Sequence, residues 1–88
     1  MANTNLNTVV RKVNEQVCVV DIKGEITGFA ENILMDAYTQ ASSGQARAIV
    51  LNFSGLDYMN SSGIGLLVTL LIRAQRQKIQ LFAYGLSD

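Results

Sequence analysis

Histidine is absent from this chain. That removes the commonest general base and the commonest metal ligand. A serine-histidine-aspartate site cannot be assembled within one chain. There is a single cysteine, Cys18, so no internal disulfide and no cysteine metal cluster can form. Its place in the run Val17-Cys18-Val19-Val20 reads as a small buried hydrophobe. Charge is also sparse: 16% of residues are charged, and seven basic residues balance seven acidic ones. That excludes an electrostatic nucleic-acid binder and leaves the surface poorly protected against association. Proline is absent throughout, and no repeats or low-complexity segments occur. The longest apolar run, near Ile64 to Ile72, is interrupted by Thr69. It is far short of the roughly 20 residues that a membrane span needs. The start, Met1-Ala2-Asn3-Thr4-Asn5-Leu6-Asn7, lacks the charged and apolar regions of a signal peptide. The expectation is a soluble cytoplasmic protein without membrane contact.

What the chain does have is apolar content, 49% over 88 residues. This fits one small packed domain spanning 1–88, marginally stable alone. Leu6 to Val13 reads as a first strand, Asn14-Glu15 as a tight turn, and Gln16 to Gly24 as a second strand rich in β-branched residues. The two should form an antiparallel hairpin. Gly24-Glu25-Ile26-Thr27-Gly28 is a connection in which Thr27 is a candidate N-cap. Ala30, Ile33, Leu34, Ala37 and Ala41 then recur at helical spacing. Ser42-Ser43-Gly44 ends that helix, with Gly44 suited to a left-handed position. Ala46 to Phe53 is a third strand, apolar on both alternating sets, as expected inside a parallel sheet.

A second helix is predicted from Ser61 to Gln77, with Ile64, Leu67, Val68, Leu71 and Ala74 as its main stripe. Leu66, Leu70 and Ile72 fall outside that stripe and could form a protein-binding patch. Lys78 to Tyr84 closes the order as a fourth strand. Strand-strand-helix-strand-helix-strand implies right-handed crossovers and a mixed, mostly parallel four-stranded sheet. Strands added successively in one direction put both helices on one face. The other face then needs cover from further chain or from a partner.

Between the third strand and the second helix stands Asp57-Tyr58-Met59-Asn60-Ser61-Ser62-Gly63-Ile64-Gly65. This is the pattern of a helix start displayed at the carboxyl end of a strand. Such a start leaves backbone N–H groups free and carries partial positive charge. Asn60, Ser61 and Ser62 can each cap it. Gly63 and Gly65 each cost about 1 kcal/mol in a helix. Close approach of a phosphate or of another backbone would explain them, and so would tight packing on the sheet. Enzyme motifs are missing here. Gly-x-Ser-x-Gly does not occur, the third glycine of a dinucleotide fingerprint is replaced, and no P-loop lysine follows. Asp57 is the corner's lone carboxylate and reads most simply as a turn residue. No metal or cofactor is expected.

The eighteen residues Val50-Leu51-Asn52-Phe53-Ser54-Gly55-Leu56-Asp57-Tyr58-Met59-Asn60-Ser61-Ser62-Gly63-Ile64-Gly65-Leu66-Leu67 resemble the central signature of STAS domains, and within them the bacterial anti-sigma-factor antagonists. The resemblance implies a non-enzymatic partner switch. Its partner would be an anti-sigma factor that is also a serine kinase, and Ser61 would be the phosphoacceptor. Ser62 and Gly63 match neighbours that shape the contact surface. Asp57, Asn60, Gly65, Leu66 and Thr27 are expected to contribute to it. Two positions depart from the pattern: Asn60 replaces the acidic residue before the serine, and Thr27 stands where many members are acidic. The family usually continues beyond this length with another helix. A C-terminally short form is therefore expected, whether natural or a fragment, with apolar surface available for self-association.

Overall fold

The structure is a computed structural model and describes residues 5–86. Strand β1 (Leu6–Lys12) runs antiparallel to β2 (Val17–Ile26), pairing Val10 with Val20 and Lys12 with Cys18. The turn between them closes as Asn14 Oδ1 accepts from the Gln16 N–H at 2.8 Å. Strand β3 (Ala48–Met59) adds parallel to β2, and β4 (Gln80–Tyr84) adds parallel to β3. The sheet order is β1-β2-β3-β4, as the strand-by-strand reading anticipates.

Strand β3 runs further than its sequence indicates. Ser54 to Met59 contains a glycine and polar residues, so local preference ends the strand at Phe53. The backbone continues because β2 also continues, through register irregularities on either side of Gly24. Lys23 then pairs with Gly55, Glu25 with Tyr58 and Ile26 with Met59. A ladder partner outweighs weak strand preference. Asp57 is therefore an exposed strand residue and not the turn residue it resembles.

Helix α1 (Glu31–Ser42) follows a 3₁₀ turn at Gly28–Ala30. It buries Leu34, Ala37, Tyr38 and Ala41, while Ile33 packs at the margin. Gly44 is left-handed, with φ 73°, as expected. Tyr38, which lies outside the predicted stripe, joins the two helices. Its hydroxyl donates to Gln77 Oε1 at 2.6 Å, and the Arg73 guanidinium lies 4.7 Å from its ring centroid. Burial pushes the phenol above its ordinary pKa.

Helix α2 (Ser61–Gln77) has the predicted bounds but a different rotation. Its buried residues are Gly63, Leu70 and Ala74. Of the predicted stripe, Ile64, Val68 and Leu71 remain about half exposed, and only Leu67 and Ala74 face inward. Leu70, read as lying outside the stripe, is the deepest large side chain of the helix at 1% exposure. The cause is steric. A Cβ on Gly63 would lie 2.5 Å from the Ile26 carbonyl oxygen and 2.8 Å from Met59 Cγ. The helix thus approaches the sheet along its smallest residues. A count of hydrophobic bulk selects the adjacent stripe. Lys78, expected in the last strand, instead caps α2 in a left-handed conformation, with φ 60°.

Both helices bury their inner residues with Cys18, Val20, Ile22, Ile49, Leu51 and Phe53 in one core on one face of the sheet. Two cross-strand rows mark the opposite face: Val9, Asp21, Asn52 and Tyr84, then Arg11, Val19, Val50 and Phe82. Arg11 Nη2 donates to Asp21 Oδ1 at 3.0 Å, and Asn52 Nδ2 donates to the same oxygen at 2.8 Å. The Arg11 hydrogen bond first, and the Asn52 bond next, hold the Asp21 carboxyl below its ordinary pKa. No helix among the described residues is long and apolar enough to cross a membrane.

Candidate functional site

Strand β3 delivers the chain to Asn60, whose extended backbone (φ −97°, ψ −177°) turns it into α2. Asn60 Oδ1 accepts from the Gly63 N–H at 2.9 Å, and the Asn60 carbonyl accepts from the Ile64 N–H at 3.1 Å. The cap is therefore Asn60, one of the three residues that could have served. Asn60 N–H in turn donates to the Ile26 carbonyl at 3.2 Å, which ties the helix start to the end of β2. Gly63 rests against that same carbonyl. Its role is close packing, and a side chain there would force the helix off the sheet. Gly65 has nothing within 4 Å of an added Cβ, so packing does not account for it.

Ser61 and Ser62 open the helix and are both exposed. As the cap accepts the Gly63 N–H, the two serines stand at the positive end of a 17-residue helix whose first turn holds no acidic side chain. The 3₁₀ turn lies beside them: a Cβ on Gly28 would meet Ser62 Cβ at 3.5 Å. Thr27 caps that turn, its Oγ1 accepting from the Phe29 N–H at 3.3 Å. Thr27, Asn60, Ser61, Ser62 and Gly63 are thus brought together. Three of the expected residues are not: Gly65 is exposed a turn further along α2, and Asp57 and Leu66 lie elsewhere. Asp57 lines a shallow cavity of about 300 Å³ with Leu56, Tyr58, Gly85 and Leu86, in which neither serine takes part. Leu66 is half-buried against the core.

The structure adds exposed apolar residues that the sequence reading misassigns or passes over. Phe29, on the 3₁₀ turn, is 69% exposed. Ile64, Val68 and Leu71, expected in the core stripe, continue the line of Ser61 at three- and four-residue spacing and are about half exposed, together with Ile72, which is expected outside that stripe. The periodicity was the available signal, but it reads equally well as a core stripe. Among the described residues, no group of three histidine, cysteine, aspartate or glutamate side chains is placed to hold a metal ion.

A mixed four-stranded sheet, two helices on one face and a polar helix start at the carboxyl end of a parallel strand define a small α/β domain with two exposed hydroxyls at that helix start. The chain belongs to the STAS domain family, whose model matches residues 8–88. No curated protein matches the sequence significantly. Solved structures share the fold at low identity. The anti-sigma factor antagonist SpoIIAA in its unphosphorylated form superposes with a TM-score of 0.74 at 22% identity, over 93% of this chain and 76% of that one. The antisigma-factor antagonist STAS domain from Rhodobacter sphaeroides gives 0.76 at 11%, over 96% and 90%. The Bacillus cell fate determinant SpoIIAA in its phosphorylated form gives 0.66 at 22%, over 85% and 68%.

Proposed function

We propose that this chain is a partner-switching protein of a bacterial cytoplasm. It binds an anti-sigma factor that is also a serine kinase, and phosphate on Ser61 ends the binding. It performs no catalysis itself. The observation supporting this most directly is the exposed Ser61 at the first position of α2, one residue after the cap. A phosphate there is stabilised locally by the helix N-terminus and its free N–H groups. It also brings about −1.5 to −2 charges to the surface. Phe29, Ile64 and Val68 stand exposed on the neighbouring turn and along the same helix. A partner seated on those apolar residues would have to desolvate the new charge, so binding is lost.

Incubation with ATP and a serine kinase of the anti-sigma type tests this reading. The expected result is a gain of one phosphate in intact mass, mapped to Ser61, with loss of the complex. Ser61→Asp should lose binding and Ser61→Ala should keep it. Asn60 favours a second reading. With no carboxylate before the serine, a kinase that requires one would leave the protein a constitutive binder. A complex that persists with ATP and carries no phosphate establishes that reading. Micromolar binding of a nucleotide or inorganic phosphate in calorimetry, without any protein partner, would instead identify a small-ligand module.

A further inference from the structure

The parallel strands have a second end, opposite the one that displays Ser61. Backbone bonds draw three connections together there. The Gln16 carbonyl accepts the Arg47 N–H at 2.7 Å and the Ala48 N–H at 3.0 Å, and the Arg47 carbonyl accepts the Gln80 N–H at 2.8 Å. The hairpin turn, the loop from α1 to β3 and the loop from α2 to β4 thus meet at the foot of the sheet. Between them lies a cavity of about 590 Å³, lined by Gln16, Gln45, Ala46, Arg47, Gln77 and Lys78.

The lining is one-sided in charge: it holds two cations and no carboxylate. Among the described residues, neither Arg47 nor Lys78 takes part in an ion pair. Glu15, beside Gln16 in sequence, is paired with Lys12 at 3.6 Å and lies outside the lining. Gln77 is oriented from behind. Its Oε1 accepts the Tyr38 hydroxyl at 2.6 Å, which leaves its amide N–H groups to donate. Helix α2 ends here, and its negative pole is blunted. The Lys78 N–H donates to the Gln75 carbonyl at 3.2 Å, and the Ile79 N–H donates to the Ala74 carbonyl at 2.9 Å.

We propose that this cavity binds a small dianion, a dicarboxylate or a phosphomonoester. The Arg47 guanidinium presents paired planar donors that match an oxyanion, and the Lys78 ammonium supplies a second positive charge. Gln16, Gln45 and Gln77 each offer a carboxamide, donor and acceptor together, to hydroxyl or amino groups of the ligand. Ala46 is the one apolar residue of the lining, so charge and hydrogen bonds select the ligand, not burial of apolar surface.

Amide-resolved NMR titration of the whole chain is the test, with succinate and glycerol phosphate as probes and glycerol as the neutral control. Either anion at millimolar concentration should shift the Gln77 side-chain amide and the Arg47 and Lys78 backbone amides, and leave Ser61 to Gly63 in place. Glycerol should shift none of them. The anion that acts at the lower concentration identifies the ligand's acidic group. Arg47→Gln and Lys78→Asn should each weaken the response about tenfold. Both positions are exposed, and asparagine tolerates the left-handed backbone of residue 78. Should a variant not fold, the wild-type titration decides by itself, because it is read residue by residue. Absence of shifts around the cavity with both anions overturns the proposal. So do shifts confined to Ser61 to Gly63, or folded variants that titrate like the wild type.

Discussion

The two helices lie on the same face of one sheet and use it in opposite ways. Helix α1 turns its large side chains inward: Leu34 and Tyr38 are 1% exposed. Helix α2 turns only one large residue fully inward, Leu70, beside Gly63 and Ala74, and keeps Ile64, Val68, Leu71 and Ile72 about half exposed. The first arrangement maximises burial per turn. The second gives up burial for close approach, and it leaves an apolar stripe outside, in line with Ser61. In an 88-residue domain with little core to spare, that stripe is a cost to the isolated chain. It is recovered only when something covers the stripe. The contrast makes α1 the helix that fills the core and α2 the one that leaves apolar surface exposed.

The largest expected effect would break this contrast at Leu70. Leu70→Ala should lose about 2–5 kcal/mol in urea denaturation, as cavity-forming core substitutions do. Val68→Ala, two residues away on the exposed stripe, should change stability by less than about 0.5 kcal/mol. Equal losses at the two positions would mean that the predicted stripe, and not the observed one, faces the core. Next comes Gly63→Ala, which places a methyl against the Ile26 carbonyl and Met59. A loss of about 1–3 kcal/mol is expected from overpacking, although alanine is the better helix former. Gly65→Ala, with open space around it, should be neutral or stabilising.

A smaller effect sharpens the contrast at the tip of α2. Asn60→Ala removes the cap and should lose about 1 kcal/mol. Asn60→Asp should leave stability nearly unchanged while restoring the missing carboxylate. A rise in the rate of Ser61 phosphorylation in that variant, measured by mass spectrometry, would identify residue 60 as the kinase's requirement. The smallest effect lies on the opposite face. The Asp21 carboxyl is held below its ordinary pKa by Arg11 and Asn52. Its contribution is therefore complete above the unfolded carboxylate value, near 3.9. It is lost as the pH falls through the lower folded value. Denaturation midpoints measured toward low pH should fall less steeply in Asp21→Asn than in the wild type.

How much of this is legible in the sequence depends on how local the cause is. The start of α2 is legible because Asn60 and Ser61 act within a turn of the chain, whereas its left-handed stop at Lys78 reads locally as the beginning of a strand. The order of elements is legible from alternation and helical spacing, and same-face helices follow from adding strands in one direction. The rotation of α2 is not, because it depends on how closely Gly63 can approach Ile26, thirty-seven positions earlier in the chain. The length of β3 is not, because Ser54 to Met59 are strand only where β2 supplies a ladder. The serine pair was found by its neighbours in sequence. Phe29, across the gap from Ser62, carries no local mark of its place.

One backbone oxygen links these parts. The Ile26 carbonyl accepts the Asn60 N–H and bears directly on Gly63. The exit from β2 and the entry to α2 therefore hinge on a common pin. A tilt of α2 at its tip is therefore expected to move the loop that carries Phe29, and a shift of the Phe29 ring resonances in Ser61→Asp would check it.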